Sequence, residues 1–300
     1  MDLPPSRVRR QRRLSRLALM AAGLAVVAAL IAAQQAMSQG PSAPLRASPD
    51  GRPLTLSFTE AFDGPLSIWD AERNPAGRWR PDYGYQGRDG VGSYTLVSNG
   101  ELQIYVSPYF RDGRGGRLDS PFRTEAGTLS IIAARSNDSS LFGYKYTSGL
   151  ITTRPSFAQT YGYFEMRARL PAGKGLWPAF WLLPADGGWP PEIDVMESVG
   201  DPSKAYVTAH SKLAKSVGVE MKLTAGQFHT FAVAWDAKQL IWYLDGRETA
   251  RQATPADLDK PMFMLVNLAL GGGWAGAPDA TTPFPAKFTI DYVRAYRFAT

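Results

Sequence analysis

The sequence has no cysteine and only two histidines, His210 and His229, in 300 residues. Without cysteine there is neither a disulfide framework nor thiol chemistry, so the fold is held by its core, with at most a metal to help. Two imidazoles and no thiolate argue against a zinc hydrolase, whose ion draws on more nitrogen or sulfur than this. Net charge is also scarce once the N-terminal segment is set aside. The formal net charge is +6, but residues 1 to 38 hold six Arg and one Asp, which leaves 27 basic against 26 acidic residues, or +1, in the remainder. There is no basic patch to read in the folded part, and a nucleic acid partner is not expected. Beyond the N-terminal segment no amphipathic helix of three turns and no internal repeat can be found.

What is present begins with a basic run, RVRRQRRLSR at 7 to 16, followed by seventeen uncharged and mostly apolar residues from Leu17 to Ala33. Ala36-Met37-Ser38 then places small residues at the two positions a signal peptidase reads. Residues 1 to 38 are therefore expected to be a signal peptide of a secreted or periplasmic protein. The alternative is a retained single-pass membrane anchor with the rest of the chain facing outward. Residues 39 to 53, rich in Pro, Ser and Ala, read as a linker. From Leu54 to Thr300 the pattern is strand and turn: Leu54, Leu56 and Phe58 alternate with polar residues, as do Leu102, Ile104 and Val106. Asn99-Gly100 and Asp245-Gly246 are hairpin signals. The expected fold is all-β, an antiparallel two-sheet sandwich forming one domain, and a monomer.

The most informative stretch is EIDVME at 192 to 197. Alternation places Glu192 and Asp194 on one face of a strand and Ile193 and Val195 on the other. Glu197 breaks the count, since a regular strand would turn it into the apolar layer, where an unpaired carboxylate is costly. One extra residue, a bulge near Val195 or Met196, returns it to the acidic face. Three crowded carboxyl groups cannot all ionise at neutral pH, which suits an acid and a nucleophile side by side. A solvated acidic edge or a calcium site is the blander reading of the same spacing.

Aromatic residues surround this strand. Trp177 and Trp181 share a face, with Phe180 and Leu182 on the other, so two indoles offer a platform on which apolar sugar faces stack; a buried Trp pair is the alternative. On the following strand Tyr206, Thr208 and His210 share a face, from which His210 can hydrogen-bond a carboxylate and hold its ionisation state. His229 has no acid nearby in sequence and reads as structural. Trp274 follows three glycines, which let the backbone approach a ligand closely and put the indole at a cleft rim. Asn267 is the strongly polar side chain of the apolar run MFMLVNLAL, either satisfied internally or pointed into the cleft. The irregular stretch 66 to 93, with Trp69, Trp79, Tyr83 and Tyr85, either walls one end of the cleft or packs as an Ω-loop. Glu165, Arg167 and Arg169 alternate with apolar residues and should form a wet face.

Taken together, EIDVME and the preceding GLWPAFWLLP resemble glycoside hydrolase family 16, in the longer, bulged form of its laminarinase-like members. YTSGLITT, YGYFEMRARLPAGKG, FHTFAVAW, WYLDG, NLALGGGW and DYVRAY recur in the family's order, so the likeness runs from about Leu54 to Phe298. It implies a β-jelly-roll with a concave substrate cleft and a retaining endo-glycanase acting on β-1,3- or mixed β-1,3/1,4-glucan or a bacterial exopolysaccharide. In that case Glu192 is the nucleophile, Glu197 the acid/base, Asp194 the group that tunes the nucleophile, and Trp274 part of a sugar subsite. A glycan-binding module or a transglycosylase of the same fold are the alternatives. No cofactor is implied for catalysis. A structural calcium is, with Asp291 as ligand, although Ala61 stands where family members often carry an acid.

Overall fold

The structure, a computed structural model, describes residues 43–84, 91–110, 118–137, 141–216 and 218–299. The 1 to 38 segment and Tyr85 lie outside the described residues. Among the described residues no helix is long and apolar enough to cross a membrane. The strands are β1 (Leu54–Glu60), β2 (Gln103–Tyr105), β3 (Phe122–Glu125), β4 (Thr128–Arg135), β5 (Tyr146–Ser148), β6 (Leu150–Thr152), β7 (Gly162–Arg169), β8 (Leu176–Pro184), β9 (Glu192–Glu197), β10 (Lys204–His210), β11 (Val219–Lys222), β12 (His229–Trp235), β13 (Gln239–Leu244), β14 (Arg247–Ala253), β15 (Met262–Leu270) and β16 (Ala286–Phe298).

They form two sheets. The larger has the order β14-β13-β12-β7-β16-β4-β5-β2, with β1 beside β16 and β3 beside β4; the smaller has the order β11-β10-β9-β8-β15-β6. Pairing is antiparallel except between β2 and β5, which run parallel. That departs from the purely antiparallel expectation, and the forty residues between these two strands, containing β3 and β4, supply the long crossover a parallel pair needs.

Alternation decides what each strand buries. In β7, Phe164, Met166 and Ala168 enter the core between the sheets, where they meet Phe180 and Leu182 of β8 and Ile193 of β9. Each large side chain withdrawn from water contributes about 1.5–3 kcal/mol, and in a chain without cysteine such burial stands in for disulfides. Trp79, one of the aromatics of the irregular stretch, is fully buried in the same core, where it makes an edge contact with Phe58. Glu165 departs from its expected wet face: it is 2% exposed, and Tyr296 donates to its Oε1 at 2.9 Å.

Asp245-Gly246 joins β13 to β14, with φ of 50° and 75° at the two positions, the left-handed pair that a two-residue hairpin turn of this hand demands. Asn99-Gly100 is no hairpin. It ends a short 3-10 turn at Val97–Asn99, with Gly100 in the left-handed region, and leads into β2. Residues expected to form the end of the linker are in fact part of the domain. Ala47 bridges Pro53, Arg52 pairs with both Asp50 and Asp236 at 2.6 Å, and the Leu45 N–H bonds to the Tyr296 hydroxyl.

Candidate active site

The acidic strand lies inside the smaller sheet, between β8 and β10. Against β10, Glu192 faces His210, Asp194 faces Thr208 and Glu197 faces Tyr206, and the register shifts by one residue between Asp194 and Glu197. The same shift occurs against β8, where Trp181 faces Asp194 and Phe180 faces Met196. A residue inserted at Val195 or Met196 thus leaves Glu192 and Glu197 opposite positions four apart on β10, about 13 Å along the strand. Four is an even count, so Glu192, Asp194 and Glu197 all project to the cleft, while Ile193, Val195 and Met196 all enter the core. At the bulge the core supplies a partner to the backbone: Nε1 of Trp242, on β13 of the opposite sheet, donates to the Asp194 backbone oxygen at 2.9 Å.

The carboxyl groups line a cleft of about 760 Å³. Trp189 Nε1 donates to Glu192 Oε2 at 2.9 Å, and Trp177 Nε1 donates to Glu197 Oε1 at 2.9 Å. His210 Nε2 lies 3.2 Å from Asp194 Oδ2 and 3.8 Å from Glu192 Oε1. Its Nδ1 is 3.2 Å from the Ser216 hydroxyl. Asp194 is 1% exposed, and among the described residues its Oδ2 has no partner that meets hydrogen-bond geometry, although Glu192 and His210 both lie beside it. Burial pushes Glu192 and Asp194 well above the usual carboxylate range and raises Glu197 as well. Mutual repulsion adds to this, from Asp194 on Glu192 and from Glu197 on Asp194, while the Trp177 N–H pulls Glu197 back. Carboxyl groups raised in this way and crowded in one row favour sharing proton and charge between them, which acid and nucleophile chemistry requires. Glu192, Asp194 and His210 also place oxygen and nitrogen atoms within 4.8 Å of one another, a donor set in which a cation would fit.

The floor and rim are aromatic. Trp181 is 8% exposed and belongs to a second apolar cluster, under the cleft, with Tyr83, Tyr105, Ala179 and Leu183. It is floor and core at once, so the two readings of this residue merge. Its Nε1 donates to Asn267 Oδ1 at 2.7 Å, and Asn267 Nδ2 donates to the Tyr105 hydroxyl at 3.0 Å, so Asn267 is satisfied internally and also lines the cleft. Trp274 is 46% exposed at the rim, edge-on to Trp177 and to Tyr206. Gly272 makes that corner possible: its φ is +84°, and a Cβ there would lie 2.8 Å from the Trp177 ring and 3.0 Å from the Asn99 carbonyl oxygen.

The sequence pattern did not place Trp189, Glu101, Ser98 or Asn99 at the site, yet all of them line the cleft. They come from loops and strand ends, where no periodicity assigns a face; the one available signal was that Trp189 stands three residues before Glu192. Tyr83, from the irregular stretch, lines the cleft, whereas Trp79 from the same stretch does not. His229 sits apart, bonded through Nδ1 to Asp245 at 2.7 Å. Asp291 does not fit its expected role as a calcium ligand. It is 4% exposed, and its Oδ2 accepts from Arg167 Nη1 at 2.6 Å. A single carboxylate already neutralised by a guanidinium is a poor start for an ion that takes six to eight oxygens.

A β-sandwich with a row of carboxyl groups above an indole floor defines a jelly-roll of the carbohydrate-active class. Residues 119–294 match the family described as Glycosyl hydrolases family 16, and the chain belongs to that family. It is 41% identical over 265 residues to the endo-1,3-1,4-beta-glycanase ExsH of Rhizobium meliloti (strain 1021), covering 84% of this chain and 53% of that protein. It is also 41% identical over 257 residues to endo-1,3-1,4-beta-glycanase EglC of the same organism, covering 81% and 52%. The chain thus spans about half the length of these curated relatives. Among solved structures, the endo-beta-1,3-glucanase of Pyrococcus furiosus superposes with a TM-score of 0.70 at 31% identity, over 86% of this chain and 99% of that one.

Proposed function

We propose that the protein is a retaining endo-glycosidase that cleaves β-1,3- or mixed β-1,3/1,4-linked glucan, or a bacterial exopolysaccharide built with such linkages. The observation that carries this reading is the bulge in β9, which puts Glu192, Asp194 and Glu197 on one face above Trp177 and Trp181. Similarity to endo-1,3-1,4-beta-glycanases supports the substrate class. In the first step Glu192 attacks the anomeric carbon, the glycosidic C–O bond breaks, and Glu197 gives its proton to the leaving oxygen. In the second, water attacks the same carbon, its proton passes to Glu197, and Glu192 is released. Asp194, between them and close to His210, holds the nucleophile in place and tunes its charge. The indole floor stacks the apolar faces of the sugars.

A glycan-binding module would keep the tryptophans, but it has no use for three carboxyl groups whose crowding, around a buried Asp194, is costly. The basic and apolar segment at 1 to 38 supports export, to the periplasm or beyond. A panel of linear β-1,3-, β-1,4- and mixed-linkage glucans and acidic exopolysaccharides, with linkage analysis of the products, tests the assignment. Cleavage within mixed or β-1,3 chains is expected. Binding without cleavage of any of them would return the protein to the binding-module reading.

A further inference from the structure

Glu101 is a buried carboxyl group on the cleft wall that the double displacement does not use. It is 6% exposed, and its Oε2 accepts three hydrogen bonds, from the Leu96 N–H at 3.0 Å, Gln103 Nε2 at 2.6 Å and the Thr95 hydroxyl at 3.3 Å. Gln103 is fixed in turn, because its Oε1 accepts from the Leu270 N–H at 2.7 Å. The carboxyl group is thereby clamped through one oxygen. Among the described residues its other oxygen, Oε1, has no partner, and the residue lines the same cleft as the acids. Burying a carboxyl group in this way is expensive, and the clamp alone would be served as well by a neutral amide. Burial lifts Glu101 to about 7 against the pull of its three donors, so above neutrality the oxygen left over is an anionic acceptor.

Its place in the cleft says which part of a substrate it would meet. The Glu101 backbone bridges Gly271 at the end of β15, on the side away from β8. That sets it three strand positions from β9, about 14 Å at a spacing of about 4.8 Å, which is further than the sugar being cleaved can reach. Trp177, Ala179, Asn267 and Ala269 pave the interval.

We propose that Glu101 is the specificity-determining acceptor of a distal sugar subsite, binding a hydroxyl of an unsubstituted sugar through Oε1 and repelling sugars that carry an anionic substituent there. This rests on the glycosidase reading above.

The test uses Glu101→Gln. The three donors on Oε2 demand an oxygen, so the amide must turn its NH2 to the cleft and replace an acceptor by a donor without changing shape. Affinities for a ladder of β-glucan oligosaccharides are measured at pH 8 in a Glu192→Gln background, and kcat/KM for the same ladder in the otherwise wild-type protein. Loss of a hydrogen bond to a charged group predicts a fall of about 10- to 100-fold in affinity for the longest oligosaccharides. Oligosaccharides too short to leave the acids should be unaffected. A uniform fall at every length would make Glu101 structural, and no fall at any length would remove it from recognition; either overturns the inference and leaves the glycosidase reading intact. Failure of the wild-type protein to cleave any β-glucan would instead sink that reading and this inference with it.

Discussion

Trp242 gives the sharpest test of how the fold builds the site. Its indole spans from the larger sheet to the strand that bears the acids, and donates to the Asp194 carbonyl beside the bulge. Trp242→Phe keeps most of the ring and removes the N–H. Leaving a buried carbonyl without a partner costs about 1–3 kcal/mol, and the ring atoms lost from a fully packed core add about 1 kcal/mol. For a domain of this size a loss of about 2–4 kcal/mol lowers Tm by roughly 4–16 °C. Stability alone does not test the idea, because many core changes would do the same. Trp235→Phe is the control: its Nε1 also donates to a buried carbonyl, that of Leu258 at 3.2 Å, which lies outside β9. Both variants should melt earlier by similar amounts. Only Trp242→Phe should also lose kcat at temperatures where it is fully folded, by about 10- to 100-fold, since displacing a reacting group by about an ångström has that effect. Equal kcat in the two variants would refute a role for this bond in holding the acids.

Three further outcomes follow from the same geometry. Because Trp181 is floor and core together, Trp181→Ala should cost about 3–5 kcal/mol of stability and weaken oligosaccharide binding in the same variant; calorimetry and a thermal melt that found only one of these losses would show the residue to be purely core or purely platform. Trp177→Phe removes the N–H that holds Glu197 down, so the basic limb of the pH–rate profile, which follows the proton on the acid/base, should move to higher pH, and a downward move would contradict the role given to Glu197. Glu165 is lifted by burial from 4.5 to about 7 in the folded protein, against the pull of Tyr296 and Arg294. Its contribution to stability is therefore full below about pH 4.5 and is lost as pH rises through about 7, a decline of about 3 kcal/mol. Denaturant unfolding at pH 4.5 and pH 8 should show a decline that is smaller by about that amount in Glu165→Gln than in the wild type, the remainder coming from Glu101 and the three acids of β9, which burial raises as well.

Much of the site was legible because strands report their faces by counting. Glu192, Asp194 and Glu197 violate the period of two by one residue, and a bulge is the cheapest repair; Trp177 and Trp181 keep the period, which put them with the acids and sent Phe180 and Leu182 to the core. Counting fails where burial comes from beyond the strand. Glu165 alternates outward as expected, yet Tyr296 and the residues around Arg294 cover it. Asp291 reads as a free acid until β7 brings Arg167 alongside. Trp242 sits in an unremarkable strand pattern, and its bond crosses from one sheet to the other. Trp189 and Tyr83 reach the cleft from irregular backbone, where the sequence has no period to count, and Glu101 reaches it from the end of an alternating run whose polar face gives no sign of the cleft.

The central claim is that Glu192 and Glu197 act in succession at one anomeric carbon. Proton NMR of the new reducing end, followed from the first seconds of mixed-linkage glucan hydrolysis, tests it most directly, because two inversions at one carbon return the starting configuration. The wild-type protein should release the β-anomer first, with the α-anomer appearing only by later mutarotation, and Glu192→Gln should release almost none. Initial release of the α-anomer, or wild-type rates from Glu192→Gln, would contradict the account.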